Sequence, residues 1–210
     1  MRRSLYFIVS SLFLTLFVLT ACDETTEEYR FANWQARNQQ YLDSIVNLAQ
    51  TNSSGEWQII KSYTLSGNNQ SGIIGGTDPL DCIYVKVLEK GSGERKAMFN
   101  DTVRVHYRGM LINEDVFDQS YKGSLKLESA VPAKFKVSSL INGWTTALQQ
   151  MKEGDRWELF IPWSLAYGPG VMAGTSTDIL EYSLLRFDVK LVKIYPEDEY
   201  TSSNPVPDWK

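Results

Sequence analysis

The chain predicts an α+β fold: a curved antiparallel sheet of about five strands wrapped on one short helix, with a helical extension at its N-terminal side. Three observations carry this. Runs with period-two alternation recur after residue 80, as in Val103, Val105, Tyr107 and Gly109 opposite Arg104, His106 and Arg108. A single short stretch between them, Asn142 to Met151, has Trp144, Leu148 and Met151 at helical spacing. Before residue 55, by contrast, apolar residues recur at three- and four-residue steps.

In order along the chain, Phe31, Trp34, Tyr41, Leu42, Ile45, Leu48 and Ala49 define the amphipathic helix of the extension, which ends near Asn52-Ser53-Ser54-Gly55. Its stripe requires burial on the main domain, on a second copy or on a partner. Trp57 to Leu65 is a short strand candidate, and the Gly-, Ser- and Asn-rich run Ser66 to Asp78 is a loop or linker. Strands follow at Ile83–Leu88, broken by Lys90-Gly91-Ser92-Gly93, then at Thr102–Leu111 and Pro132–Val137. The short helix is stopped by Glu153-Gly154-Asp155. Arg156–Ile161 is a strand ended by Pro162, and Leu184–Ile194 is a long one with Leu185, Phe187, Val189 and Leu191 on one face.

The N-terminus bears on compartment. Arg2 and Arg3, an apolar run from Leu5 to Leu19, and a Leu19-Thr20-Ala21-Cys22 ending have the form of a secretory signal, residues 1–21. The L-T-A-C ending resembles the lipobox of bacterial lipoproteins, which implies lipidation of Cys22 and a lipid-anchored place in the cell envelope, on the outer membrane, periplasmic or surface-facing. Asp23, Glu24, Glu27 and Glu28 form an acidic cluster that resembles lipoprotein surface-export signals and reads equally as a solvated tether. Removing Arg2 and Arg3 takes the formal net charge from −4 to about −6. That gives no electrostatic footprint for nucleic acid. With Cys22 lipidated, Cys82 has no partner, so a disulfide framework is excluded. Cys82 alternates with Tyr84 and reads as a small core hydrophobe. The one histidine, His106, faces away from Tyr107, which excludes a histidine triad or a multi-histidine metal site.

Two phrases carry chemistry: V-H-Y-R-G-M-L with V-F-D at Val105–Leu111 and Val116–Asp118, and L-I-N-G-W, L-F-I-P-W and L-A-Y-G between Leu140 and Gly168. They space Tyr107, Phe117, Phe135, Trp144, Tyr167 and Phe187 as a small aromatic cup without a nucleophile pair, phosphate loop or metal ligands. Singly, each of these residues reads as core; in this order they resemble the FKBP-type peptidyl-prolyl cis-trans isomerases, over about Ile83 to Tyr195.

The resemblance implies a half-open sheet on a short helix. It makes residues 81–196 the isomerase domain, 22–80 a tether, helix and linker, and 197–210 a tail. Tyr107, Phe117, Asp118, Tyr167 and Phe187 match the catalytic set. Phe135, Leu140, Ile141, Trp144 and Ile179 match substrate-binding positions, with the Ile141 N–H and Tyr167 hydroxyl expected to hold substrate carbonyls. No cofactor or metal is implied, and the partners would be proline-containing unfolded or extended polypeptides. Relatives with appended helices imply a homodimer through residues 31–49 as one option.

The chemistry suits such a cup. Rotating a peptide bond costs about 18–20 kcal/mol because planarity preserves resonance, and X–Pro bonds exchange in tens to hundreds of seconds. Lowering that barrier needs a dry pocket and contacts that favour the twisted amide, not proton transfer. Two departures from the family pattern stand out. The segment between Asp118 and Phe135 is long, and the flap after Tyr167 reads Ile179-Leu180-Glu181 where the family has Ile-Pro-Pro, with Gly168, Pro169, Gly170 and Gly174 giving it freedom. They leave open a chaperone or peptide-binding module with weak or no isomerase activity.

Overall fold

The computed structural model describes residues 30–65, 78–127, 129–175, 177–201 and 203–208. The signal, Cys22, the acidic cluster and almost all of the Ser66–Asp78 loop lie outside them. The chain divides at Trp34/Gln35, and the description below concerns Gln35 onward.

The elements are α1 (Trp34–Thr51), β1 (Trp57–Lys61), β2 (Cys82–Glu89), β3 (Thr102–Met110), β4 (Val116–Gln119), β5 (Ala133–Lys136), α2 (Asn142–Leu148), β6 (Arg156–Ile161) and β7 (Leu185–Tyr195). One seven-stranded sheet runs β1-β2-β6-β7-β3-β4, with β5 sharing the outer edge of β3, and every pairing is antiparallel. The expected α+β architecture holds, but the sheet gains two strands over the five counted from alternation. β4 is only four residues long and too short to declare a period. β1 precedes the boundary drawn at residue 81, yet it pairs along β2 from Trp57↔Lys86 to Lys61↔Cys82.

The concave face closes on α2. Residues 143 to 148 of this helix are all buried, and it rests on β6 at Gly143, where a Cβ would fall 2.4 Å from the Ile161 side chain. Any larger residue there would push the helix off the sheet. β7 keeps its alternation through Leu191 and then breaks it. Val105 pairs with Leu191 and Val103 with Ile194, so a bulge on β7 turns both Leu191 and Ile194 inward.

The convex face carries a second core. Leu42, Ile45 and Ala49 of α1 pack with Cys82, Tyr84, Phe160 and Leu184, and Trp57 stacks on Phe160 with ring centroids 5.5 Å apart. Of the stripe for which three destinations were open, Leu42, Ile45 and Ala49 are thus buried on the chain's own sheet, while Leu48 is 53% exposed. Cys82 sits in this core, its thiol pushed up to about 11 by burial and then by the Asp81 charge. Such a thiol is inert at neutral pH, in keeping with a packing role.

Farther along the same face the sheet is polar yet still covered. Arg104 donates to the Pro207 carbonyl (2.8 Å), so the C-terminal segment lies across β3. His106 is 2% exposed, with the Tyr121 ring edge-on to it at 6.4 Å. The start of the long segment after Asp118 thus places Tyr121 over the convex face.

His106 makes stability depend on pH. Burial, with Lys190 opposite it on β7 adding repulsion, holds the imidazole below its ordinary value, and its Nδ1 has no protein hydrogen-bond partner. The unfolded chain takes up a proton below about pH 6.5 more readily than the folded one. Stability is therefore full above that pH and declines as the pH falls through it. Urea midpoints of wild type and His106→Gln between about pH 7.5 and about pH 5 check this, with the wild type losing more. Carboxylates common to both proteins cancel in the comparison, and equal losses would refute the assignment.

Candidate functional site

β3, β4, β7, β5 and α2 converge on the concave face and bring five aromatic residues together. The rings form a connected chain. Phe117 meets Phe187 at 5.4 Å, Phe187 meets Trp144 at 5.2 Å, Trp144 meets Tyr107 at 5.4 Å, and Tyr107 meets Phe135 at 5.7 Å. All four contacts are edge-to-face, which places a positive ring edge against a negative ring face. Trp144 is the hub, because it also meets Phe135 at 6.0 Å. Tyr107, Phe117, Trp144 and Phe187 are buried, Phe135 is half-buried and Tyr167 is exposed. The result is a dry floor with an accessible rim.

Register explains the assembly. Gly109 pairs with Phe187 on one side and lies beside β4 on the other. A Cβ on Gly109 would sit 2.6 Å from the Phe117 ring and 2.7 Å from that of Phe187, so only glycine lets the two rings meet across β3. Sequence reasoning placed Gly109 on the correct face without giving it a role. The available signal was a glycine inside a strand, which marks a close approach.

The polar part of the rim is small. The Tyr107 hydroxyl donates to Asp118 Oδ2 at 2.7 Å. Ser120 ties the following loop to Tyr107, its Oγ accepting from the Tyr107 N–H (2.9 Å) and its own N–H donating to the Tyr107 carbonyl (2.9 Å). Burial first, then the hydrogen bond and charge of Asp118, push the Tyr107 phenol well above its ordinary range. Tyr167 is likewise raised by burial and by the Asp118 charge. Both phenols stay protonated at neutral pH, the Tyr107 proton engaged with Asp118.

Leu140 and Ile141 lie at the entry to α2, both half-buried, four and three residues ahead of Trp144 respectively. Ile179 is buried at the base of the flap, with no place in the ring chain. It is held by paired backbone hydrogen bonds with Met172, 3.0 Å from the Ile179 N–H and 2.8 Å from that of Met172. The Thr177 hydroxyl also donates to the Val116 carbonyl, one residue from Phe117. A flap without the two prolines thus has hydrogen-bonded order of its own.

A half-open antiparallel sheet closed on one helix, with an aromatic cup on its concave face, defines a class of domain. Residues 93–192, just under half of the chain, match the family model described as FKBP-type peptidyl-prolyl cis-trans isomerase, and over this stretch the chain is similar to that family. It is 45% identical over 107 residues to a macrophage infectivity potentiator from Trypanosoma cruzi, which covers 51% of this chain and 50% of that protein. It is 44% identical over 92 residues to the outer membrane protein MIP of Legionella longbeachae, covering 44% of this chain and 36% of that one. The chain spans half or less of the length of these relatives. Among solved structures, the crystal structure of FkpA from Escherichia coli matches with a TM-score of 0.55 and 26% identity, over 88% of this chain and 72% of that chain.

Gly109→Ala tests the geometry. The added methyl drives apart Phe117 and Phe187, with an expected loss of about 1–3 kcal/mol of stability by urea unfolding and a reduced near-ultraviolet circular dichroism signal from the rings. A variant with wild-type stability and signal would refute the close approach.

Proposed function

We propose that this chain is a peptidyl-prolyl cis-trans isomerase that accelerates X–Pro rotation in unfolded or extended polypeptides, held in the cell envelope by a lipid on Cys22. The observation that carries the reading is the connected ring chain from Phe117 to Phe135 with a protonated, exposed tyrosine at its rim. The pyrrolidine ring enters the dry space over Trp144, between Tyr107, Phe135 and Phe187. Removed from water, the planar amide loses solvation of its resonance dipole, and the twisted form, with less charge separation, loses less. The Tyr167 hydroxyl, and the Ile141 N–H at the entry to α2, hold the substrate carbonyls on either side. Tyr107 has a different part: its proton already belongs to Asp118, so the pair fixes the carboxylate at the rim. The binding-only alternative has less support, because relatives 42% and 41% identical are named peptidyl-prolyl cis-trans isomerases.

Exchange spectroscopy on Xaa-Pro peptides tests the activity. Wild type is expected to raise the exchange rate above the uncatalysed one, Tyr167→Phe to lower kcat/KM about threefold to tenfold for one lost hydrogen bond, and Phe187→Ala to lower it further. A folded wild type that leaves the uncatalysed rate unchanged would sink the reading.

The envelope placement is supported by the L-T-A-C ending and by the name of the Legionella longbeachae relative. Cys22→Ser is expected to move the protein from the membrane to the soluble fraction of a bacterial host, and undiminished membrane retention would refute the anchor. A homodimer through residues 31–49 forms no part of the reading, since Leu42, Ile45 and Ala49 are already covered by the chain's own sheet.

A further inference from the structure

The flap has two roots: Pro162–Leu165 ahead of Tyr167, and Tyr182–Leu184 behind Ile179. Both lie beside α1. A cavity of about 290 Å³ separates helix and roots, lined by Gln35, Asn38, Leu42, Trp163, Tyr182 and Leu184 among others. Beside the core that Leu42 and Leu184 share, the interface is also held by particular contacts. One stands out. The Leu184 N–H donates to Asn38 Oδ1 at 2.8 Å, across 146 residues of sequence, with Asn38 3% and Leu184 2% exposed.

Asn38 occupies the buried stripe of α1, four residues before Leu42, where the helical pattern asks for an apolar side chain. Asparagine is a weak helix former, and burying its carboxamide is costly unless it is hydrogen-bonded. Leu184 has the complementary requirement. The β6–β7 ladder begins at Ile161↔Leu185, so the Leu184 amide falls outside that ladder and, being buried, requires an acceptor from elsewhere.

We propose that Asn38 is a positioning residue for the cup, through which α1 sets the flap and the start of β7. Leu184 is three residues before Phe187. In the other direction lie Ser183, whose hydroxyl donates to the Leu180 carbonyl (2.6 Å), and Tyr182, whose φ of 57° makes a sharp backbone turn. The Tyr182 ring is edge-on to Trp163 at 5.2 Å, and the Trp163 carbonyl accepts from the Gly168 N–H at 2.8 Å. One fixed amide thus holds both roots of the flap, Ile179 on one branch and Tyr167 on the other.

The inference rests on the isomerase reading for its kinetic arm only. In the full chain, Asn38→Leu keeps the stripe and removes the acceptor, and Asn38→Asp keeps an acceptor in nearly the same place. Hydrogen exchange at the Leu184, Ile179 and Met172 amides is expected to rise about tenfold in Asn38→Leu, with Val105 and Leu159 unchanged. KM for Xaa-Pro peptides should rise about threefold with a smaller change in kcat. Asn38→Asp should restore both towards wild type. Wild-type exchange at Met172 and Ile179 in Asn38→Leu overturns the proposal, and so does acceleration spread equally to Val105 and Leu159. If the wild type has no activity, the isomerase reading fails while the exchange arm still decides this one.

Discussion

The register of β7 is the constraint on which the rest of the molecule depends. It is paired to β6 from Leu185 to Lys190 and to β3 from Arg186 to Tyr195, so the stretch that carries Phe187 and Val189 has a partner strand on both sides. Every side chain that β7 places inward therefore has its opposite neighbours fixed. Leu159, Phe187 and Gly109 form one row across three strands, and Trp157, Val189 and Tyr107 form the next. A slip of one residue would exchange Phe187 for Arg186 in the cup and put the alternating set on the wrong face. The bulge opposite Arg104 and Val105 confines such a break to the far end of the strand, away from the rings.

The same period of two builds a contrasting surface on the reverse of these strands. Arg156 reaches diagonally across β6 and β7 to Asp188 in a two-bond pair, Glu89 joins them through Arg156 and Lys190, and Arg186 bridges Glu158 and Glu114. Half-exposed charge pairs of this kind contribute little each, and their arrangement matters more for solubility and register than for stability. One side of the sheet is thus able to stay dry over Trp144, while the other carries these half-exposed charges beside its own covered patches. An amide entering the cup is separated from the charged network by the thickness of the sheet. The Asp118 carboxylate remains the near charge, held by the Tyr107 hydroxyl.

What could be read from the sequence was local. Val103, Val105, Tyr107 and Gly109 declared their face by alternation and Trp144 and Leu148 theirs by helical spacing, while the ring set came from the resemblance of the V-H-Y, V-F-D, G-W and A-Y-G phrases to the FKBP-type family. What could not be read was long-range. β4 has four residues and takes its place from β3 rather than from its own pattern. The destination of the α1 stripe depends on Tyr84 and Phe160, residues that alternation marks only as facing outward. Alternation puts Arg104 and His106 on the face opposite Tyr107 and carries no sign of what covers that face. They are buried because Pro207 and Tyr121, distant in sequence, lie over them. Gly109 falls between these cases: its identity was visible, but the rings that require it come together only in three dimensions.

The flap is where local and long-range information differ most. Prolines at positions 180 and 181 would have fixed φ and removed two N–H groups, stiffening the segment through covalent geometry. Leu180 and Glu181 provide neither, and the glycines on the other branch widen the conformations open to the unfolded flap. Order there has to come from bonds present only in the folded state: Met172 with Ile179, Ser183 with Leu180, Thr177 with Val116 and Leu184 with Asn38. Stiffness from proline is a property of the segment itself. Stiffness from these bonds can be changed from outside the segment, because one of the acceptors belongs to a helix that the cup does not otherwise use. Exchanging the first kind for the second makes the flap, and with it the reach of Tyr167 and Ile179 toward a bound chain, responsive to α1.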